Sequence, residues 1–377
     1  MTLNLSIPSI LENTQPKISV IGVGGAGCNA VNTMINANVL NVDFMVANTD
    51  GQALSRSLTK KQIQLGKHLT SGLGAGSDSQ IGEQAALESL DEIISEIGEI
   101  NMLFIATGMG GGTGTGASPI IAQAAKDKGI LTIAVATKPF DFEGKKRMET
   151  AEEGLKKLKE TVDTMIVIPN QNLFRIANEK TTFAEAFKLA DDVLYEGISG
   201  ITDLITSPGM INLDFSDIKT VMKNMGKAMI GTGESSGESR AQKAAETALN
   251  NPLLDNSSIN GATSILLNIK GGPDMGLLEV DEAASLIREK VDENANIIFG
   301  TSINEELDGV IKVSIVATGI DGTKFDISKQ NEKVKVTEPN VGLKKDEDLE
   351  NNETEHFLTN SPNIHKSVQI DIEAKIA

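Results

Sequence analysis

The chain has 377 residues, 40% of them hydrophobic and 23% charged, which is enough to bury a sizeable core and favours two domains over one. A formal net charge of -18 argues against a nucleic-acid backbone as partner, since that kind of binding rests on clustered Lys and Arg, so any anion the chain binds must be held locally. The single cysteine, Cys28, excludes an intrachain disulfide, the three scattered histidines form no zinc pattern, and no apolar run approaches the ~20 residues that span a bilayer.

In chain order, residues 1–16 (MTLNLSIPSILENTQP) have neither a basic start nor a long apolar core and read as a flexible N-terminus, so a reducing, cytoplasmic setting is expected. From Ile18 the apolar runs ISVIGV, VDFMVAN, QIQLG, NMLFIAT, ILTIAVAT and DTMIVIPN alternate with helical stretches, the pattern of a mostly parallel sheet covered by helices. A mainly helical stretch is expected from about Thr182 to Asn250. Within it DFSDIKTVMKNMGKAMIG, apolar at spacings of three and four, reads as a long connecting helix. ATSILLNI, EVDEAASLIREKVDENA, NIIFGTSI and GVIKVSIVATGI then give strand, helix, strand, strand, a second and smaller α/β domain. Beyond Ile320 the apolar periodicity stops, and the charged run NEKVKVTEPNVGLKKDEDLENNETEHF reads as disordered tail.

Two glycine clusters carry the chemistry. VIGVGGAGCNA matches GxGxxG at Gly22, Gly24 and Gly27, and FIATGMGGGTGTG follows another apolar strand. Without a Cβ, successive amides can turn toward one anion, and a following helix adds the positive end of its dipole. GxGxxG alone fits a nicotinamide or flavin cofactor, and glycines alone can serve only tight turns. A dinucleotide unit needs one such loop, whereas a nucleoside triphosphate can use two. There is no GxxxxGK[ST], so the phosphate donors would be amides, threonine hydroxyls and a metal ion. The dinucleotide reading also wants an acidic residue about twenty positions on, and neither Asp43, opening the second strand, nor Asp50, just past its end, is well placed.

GGGTGTG, Gly110 to Gly116, resembles the signature of the tubulin and FtsZ family, and the resemblance runs from about Lys17 to Ile320 through GVGGAGCNAVN, NTDGQAL, GLGAG, TKPFDFEGKKRM, PNQNLFRIA, INLDFSDIKTVM and VATGI. It implies a GTP-binding domain over 17–205, an activation loop and core helix over 206–230, and a C-terminal α/β domain over 231–320. A disordered linker over 321–366 and a terminal peptide over 367–377 would follow. It further implies a GTPase that assembles head to tail into cytoskeletal filaments at the division site. GTP or GDP would be bound, with magnesium beside it, and no protein-held metal site is expected. The resemblance assigns Gly25, Ala26, Gly27, Cys28 and Asn29 to one phosphate loop and Gly110, Gly111, Gly112, Thr113 and Gly114 to the other. It sets Glu143 and Arg147 near ribose and phosphates, and Phe187 and Asp191 at the base. Asn212, Asp214 and Asp217 would enter the pocket of the neighbouring subunit.

By spacing alone each assignment has a simpler alternative. Glu143 and Arg147 make an i,i+4 ion pair, Phe187 is core, Asp214 and Asp217 form a helix cap, and Cys28 fills a tight loop. The family's terminal peptide carries Ile-Pro and a nearby Phe. Here SVQIDIEAKIA keeps Asp371-Ile372 without proline or aromatic, so contact with division-ring proteins, and through them with the membrane, is implied by the resemblance and not by these residues. Two other functions remain open at this level: an NAD-dependent oxidoreductase, and a nucleotide-binding regulator that does not polymerise.

Overall fold

The computed structural model describes residues 15–320, apart from 176, 178–179, 207–208, 212–213, 252–258 and 260. The first fourteen residues, the expected linker 321–366 and the terminal peptide 367–377 therefore lie outside the described residues. The described part forms one contact unit. Its strands are β1 (Ile18–Val23), β2 (Val42–Asn48), β3 (Lys61–Gln64), β4 (Met102–Gly108), β5 (Leu131–Lys138), β6 (Thr164–Pro169), β7 (Gly209–Ile211), β8 (Gly226–Ser236), β9 (Ser264–Gly271), β10 (Asn296–Ile303) and β11 (Val310–Thr318). Its helices are α1 (Gly24–Asn36), α2 (Gly51–Ser55), α3 (Lys67–Thr70), α4 (Ser79–Glu88), α5 (Leu90–Ile97), α6 (Thr113–Asp127), α7 (Lys145–Thr161), α8 (Phe183–Thr206), α9 (Phe215–Met222), α10 (Arg240–Leu249) and α11 (Leu277–Arg288).

One 11-stranded sheet runs in the order β3-β2-β1-β4-β5-β6-β8-β11-β9-β10-β7. From β3 to β8 every pairing is parallel. β11 then lies antiparallel between β8 and β9, β10 runs parallel to β9, and β7 closes the edge antiparallel to β10. The two halves join through only three residue pairs, Thr164 with Gly226 to Ile166 with Ala228. The mostly parallel α/β architecture with a second, smaller α/β part is as the sequence indicates.

Strand side chains alternate between two cores, as a period of two requires. Val20, Phe104, Ile133 and Val135 face one core with α1, α8 and α9, while Ile21, Ile105, Ala134 and Ala136 face the other with α4 to α7. In α8 the buried positions Ala190, Val193, Leu194, Ile198, Ile201 and Leu204 recur at three and four, giving a helix with one apolar face. That face shares its core with Ala228, Ile230, Leu266 and Val316 of the second half, so one helix serves both halves of the sheet.

The expected long helix over DFSDIKTVMKNMGKAMIG is corrected. The helix that crosses the molecule is α8, ending at Thr206. α9 has only eight residues, and KAMIG belongs to strand β8. Asn224 and Gly226 adopt positive φ (57° and 68°), which ends the helical run, and the chain then turns into a strand inserted beside β6.

Because Ile201 is fully buried where α8 meets both halves, Ile201→Ala should lower unfolding free energy by about 2 to 5 kcal/mol. Denaturant titration followed by circular dichroism measures this, and a change below about 0.5 kcal/mol would contradict the placement.

Candidate functional site

The strand order reverses between β1 and β4, so the connections leaving their carboxyl ends diverge and open a crevice there. Both glycine clusters leave the sheet at that point. β1 passes into α1 through Gly24, whose φ of +72° and close approach to the other loop both call for glycine: a Cβ there would lie 2.9 Å from the amide nitrogen of Gly114. Val23 precedes α1 and offers no side-chain cap, so the first-turn amides have no acceptor of that kind. Gly27 lets α1 press against the carbonyl of Ala106, and Ala26 packs beside Gly108. Gly25 and Asn29 are exposed, and the space where a Cβ of Gly25 would stand is open.

Cys28 points the other way. It is buried, Asn48 donates to its Sγ at 3.7 Å, and burial pushes the thiol up to about 11. The side chain fills space, and what Cys28 can offer a ligand is its amide.

After β4, Gly110 turns with φ +92° and its N-H donates to Thr115 Oγ1 at 2.9 Å. α6 starts at Thr113 behind Gly112, again with no side-chain cap. Thr113 Oγ1 shares a hydrogen bond of 2.7 Å with Thr49 Oγ1 at the end of β2, and the space beside Gly111 is open. Two helix N-termini with uncapped amides thus meet at one crevice, each contributing the positive end of a dipole.

The turn after β5 brings Glu143 and Arg147 to the same edge. Arg147 Nε lies 3.1 Å from Glu143 Oε2, and a Cβ on Gly110 would stand 2.8 Å from Arg147 Cγ, so the arginine stem lies along the second glycine loop. The i,i+4 ion pair is real, and it sits against the loop. Across the crevice, the ring of Phe187 is 5.5 Å from that of Phe140, which follows β5, so α8 begins at the carboxyl edge. Phe187 is partly exposed rather than core. Asp191, one turn on, has its carboxyl pushed up to about 7, mainly by burial and secondarily by the neighbouring Asp192.

Two features were missed in the sequence. Asn170, after β6 at the same edge, is buried with an Oδ1 that has no hydrogen-bond partner. Its one signal is a polar residue following a buried strand. Five phenylalanines from three separate segments, Phe140, Phe142, Phe174, Phe183 and Phe187, also gather here, which no spacing reveals.

Asp214 and Asp217 are not brought to this crevice. α8 has 24 residues, about 36 Å, and runs from the carboxyl edge to the amino edge, where Ile205 shares a hollow with Ile18 and Val42 at the starts of β1 and β2. The far end of α9 is held at the amino edge too, with Thr164 Oγ1, at the start of β6, donating to the carbonyl of Met222. Asp214 caps α9, its Oδ1 accepting from the N-H of Asp217 at 2.9 Å, and both carboxylates are exposed. Asn212 lies outside the described residues.

An α/β sheet of this order with paired glycine turns at its switch point defines a tubulin-like nucleotide-binding protein. The Tubulin/FtsZ family GTPase domain matches residues 17–178, and the FtsZ family C-terminal domain matches residues 226–321. Over 327 residues the chain is 60% identical to a cell division protein FtsZ of Bartonella bacilliformis, covering 87% of this chain and 55% of that one. Over 325 residues it is 62% identical to the FtsZ of Rickettsia prowazekii (strain Madrid E), covering 86% and 72%. The chain thus spans about half the length of the Bartonella protein. An FtsZ dimer of M. jannaschii shares its fold with a TM-score of 0.79 at 46% identity, covering 83% of this chain and 90% of that one. The chain belongs to the FtsZ family of cell-division proteins. Among its described residues no helix is long and apolar enough to cross a membrane.

The raised pKa of Asp191 makes a prediction for the nucleotide-free protein. Between the ordinary carboxylate value and about 7 the unfolded chain gives up this proton and the folded chain keeps it, so stability is lost as pH rises through that window. Asp191→Asn removes the loss. At pH 8 the variant should be more stable than wild type by about 1 to 2 kcal/mol, discounted for partial solvent screening, and equal to it near pH 4. Thermal melts across pH check this, and a variant less stable at pH 8 contradicts it.

Proposed function

We propose that the chain binds GTP across the two glycine loops and hydrolyses it when the Asp214–Asp217 turn of a second copy closes the pocket, the copies stacking head to tail into a filament of the division ring. The observation that supports this reading is that the glycine crevice and the Asp214–Asp217 turn lie at opposite edges of one sheet, linked by a helix of 24 residues. No motion within one chain brings them together without unfolding α8. A second copy stacked edge to edge would supply the loop from outside, and the FtsZ of M. jannaschii has been described as a dimer.

In this reading the amides of Gly25 to Asn29 and Gly111 to Gly114 hold the phosphate chain, Gly110 shapes the turn with its own N-H on Thr115 Oγ1, and Arg147 lies beside them with Glu143 fixing it. The ring of Phe187 stacks on the base, and Asp191 accepts from guanine N1-H and the 2-amino group. The neighbour's Asn212, Asp214 and Asp217 orient a water in line with the γ-phosphorus. The water oxygen bonds to phosphorus, the bond to the β-γ bridging oxygen breaks, and the water's proton leaves through the carboxylates or solvent. Among the described residues no three acidic, histidine or cysteine side chains converge on a metal. A magnesium ion beside the nucleotide would take ligands from phosphate oxygens and water, lending charge neutralisation when bound.

The functional division follows the same logic, with 17–205 holding nucleotide, 206–230 carrying the loop that acts in trans and 231–320 presenting it to the next copy. A dinucleotide reading leaves the second glycine loop without a ligand to hold.

The test uses Asp214→Asn, because asparagine preserves the cap on Asp217 N-H while removing the charge. It should bind GTP within about twofold of wild type and lose roughly a hundredfold or more in hydrolysis. Arg147→Ala should be impaired in its own pocket while still lending a sound loop. Mixed co-assembling subunits of the two variants should therefore recover phosphate release, with wild-type pockets facing wild-type loops at some junctions. Dilute wild-type monomer hydrolysing at the full specific rate would sink the shared site.

A further inference from the structure

We infer that Phe140 is a positioning residue for the nucleotide base, fixed in place by Glu143 and acting through the ring of Phe187. The inference rests on the GTP reading above and goes beyond it by naming what sets the base platform. Phe140 is buried while three of the rings around it are largely exposed, Phe142 and Phe174 at 53% and Phe183 at 68%. Exposed rings do not constitute a core, so their packing needs another purpose.

The geometry is a closed circuit. Phe140 stacks on Phe142 with centroids 4.9 Å apart, Phe142 meets Phe183 at 5.5 Å, Phe183 meets Phe187 at 5.0 Å, and Phe187 returns to the edge of Phe140 at 5.5 Å and 73°. Phe174 attaches to Phe140 at 5.7 Å, and among the described residues it pairs with no other ring of the group. Edge-to-face pairs resist rotation of the ring they touch, so Phe140 holds the plane of Phe187.

Phe140 is itself held at both backbone polar groups by one residue. Its N-H donates to Glu143 Oε1 at 2.8 Å, and its carbonyl accepts from the N-H of Glu143 at 3.0 Å. The other carboxylate oxygen of Glu143 takes Arg147, whose stem lies against Gly110. A run of contacts therefore links the second phosphate loop to the base: Gly110, Arg147, Glu143, Phe140, Phe187. Glu143 is part of the link and not only a neighbour of the ribose.

The consequence is selectivity. Hydrogen bonds from guanine to Asp191 weaken steeply with misalignment, so tilting the ring that carries the base erodes the preference for a 2-amino group before it abolishes binding. A purely structural role would change the folded fraction and leave the ratio of two affinities untouched.

Competitive binding of GTP and ITP to dilute full-length protein reads that ratio. Wild type should prefer GTP about tenfold or more, the value of a hydrogen bond to a charged acceptor. Phe140→Leu should narrow this to about threefold or less, the increment lost with misaligned geometry. Phe174→Leu, which leaves the circuit of Phe140, Phe142, Phe183 and Phe187 closed and the Glu143 bonds to the Phe140 backbone intact, should keep the wild-type ratio. Glu143→Gln, which retains an acceptor for the Phe140 N-H and loses the charge beside Arg147, should weaken both nucleotides alike with the ratio intact. If Phe140→Leu does not fold, the exposed Phe142→Leu, which removes the stacking partner of Phe140, should also narrow the ratio. An unchanged ratio in whichever of these two variants folds, with the wild-type preference present, overturns the proposal. A wild type that does not distinguish GTP from ITP overturns the base assignment, and the proposal falls with it.

Discussion

The contact on which the rest depends is the meeting of Gly24 and Gly114, where two helix N-termini are brought within van der Waals distance. Like ends of two dipoles repel, and neither end has a side-chain cap to absorb the field. The arrangement persists because it is imposed from beneath. β1 and β4 pair in register along their length, from Ile18 with Met102 to Val23 with Thr107, and each passes into its helix through a glycine turn with little slack. Thr107 Oγ1 donating to the carbonyl of Val23 ties the two turns again. Relieving the repulsion by spreading the helices would break strand pairing in the centre of the sheet, and an anion bound as proposed would offset it instead. This also reconciles an acidic chain with an anionic ligand, because the site is built from amides and needs no net positive charge.

A sheet whose binding loops all leave by one edge leaves the other edge free. α8 exploits this by packing both halves along its length while separating its two ends by about 36 Å. Its first turns carry Phe183, Phe187 and Asp191, and the chain beyond its last turn carries Asp214 and Asp217. Under the proposed function, the core that stabilises the molecule is also the spacer that would keep one copy from completing its own site. Asp214 shows how little this costs locally: the cap that starts α9 uses one carboxylate oxygen, leaving the other and all of Asp217 exposed at the edge.

The strands and glycine turns were legible because both write themselves in short periods, apolar runs of six to eight residues punctuated by glycine. The ion pair of Glu143 with Arg147 and the cap of Asp214 on Asp217 were legible for the same reason, being local spacings of four and three. β8 was not. Met222, Met225 and Met229 fall three and four apart, a helical period, and what overrides it is a pair of left-handed backbone positions at Asn224 and Gly226 together with an open pairing site on β6. Phe140 escaped for a different reason. Its importance comes from rings contributed by the turn after β5, the turn after β6 and the start of α8, and convergence of distant segments has no period to detect.

The unsatisfied groups of the crevice fall into two sorts at its two ends. Beside the glycine loops are donors that no side chain caps, the first-turn amides of α1 and α6. On the other side are Asn170 Oδ1, a buried acceptor without a partner, and the Asp191 carboxyl, whose charge burial disfavours. Buried polar groups left this way are costly, and each sort calls for the opposite chemistry in whatever fills the space. A ligand with phosphate oxygens at one end and ring N-H groups at the other answers both. Adenine carries no proton on its ring N1, so beside an ionised Asp191 it offers one amino donor where guanine offers two. The polarity of the crevice therefore fits the direction in which a guanine nucleotide would lie as well as its identity, with the phosphates at β1 and β4 and the base toward α8.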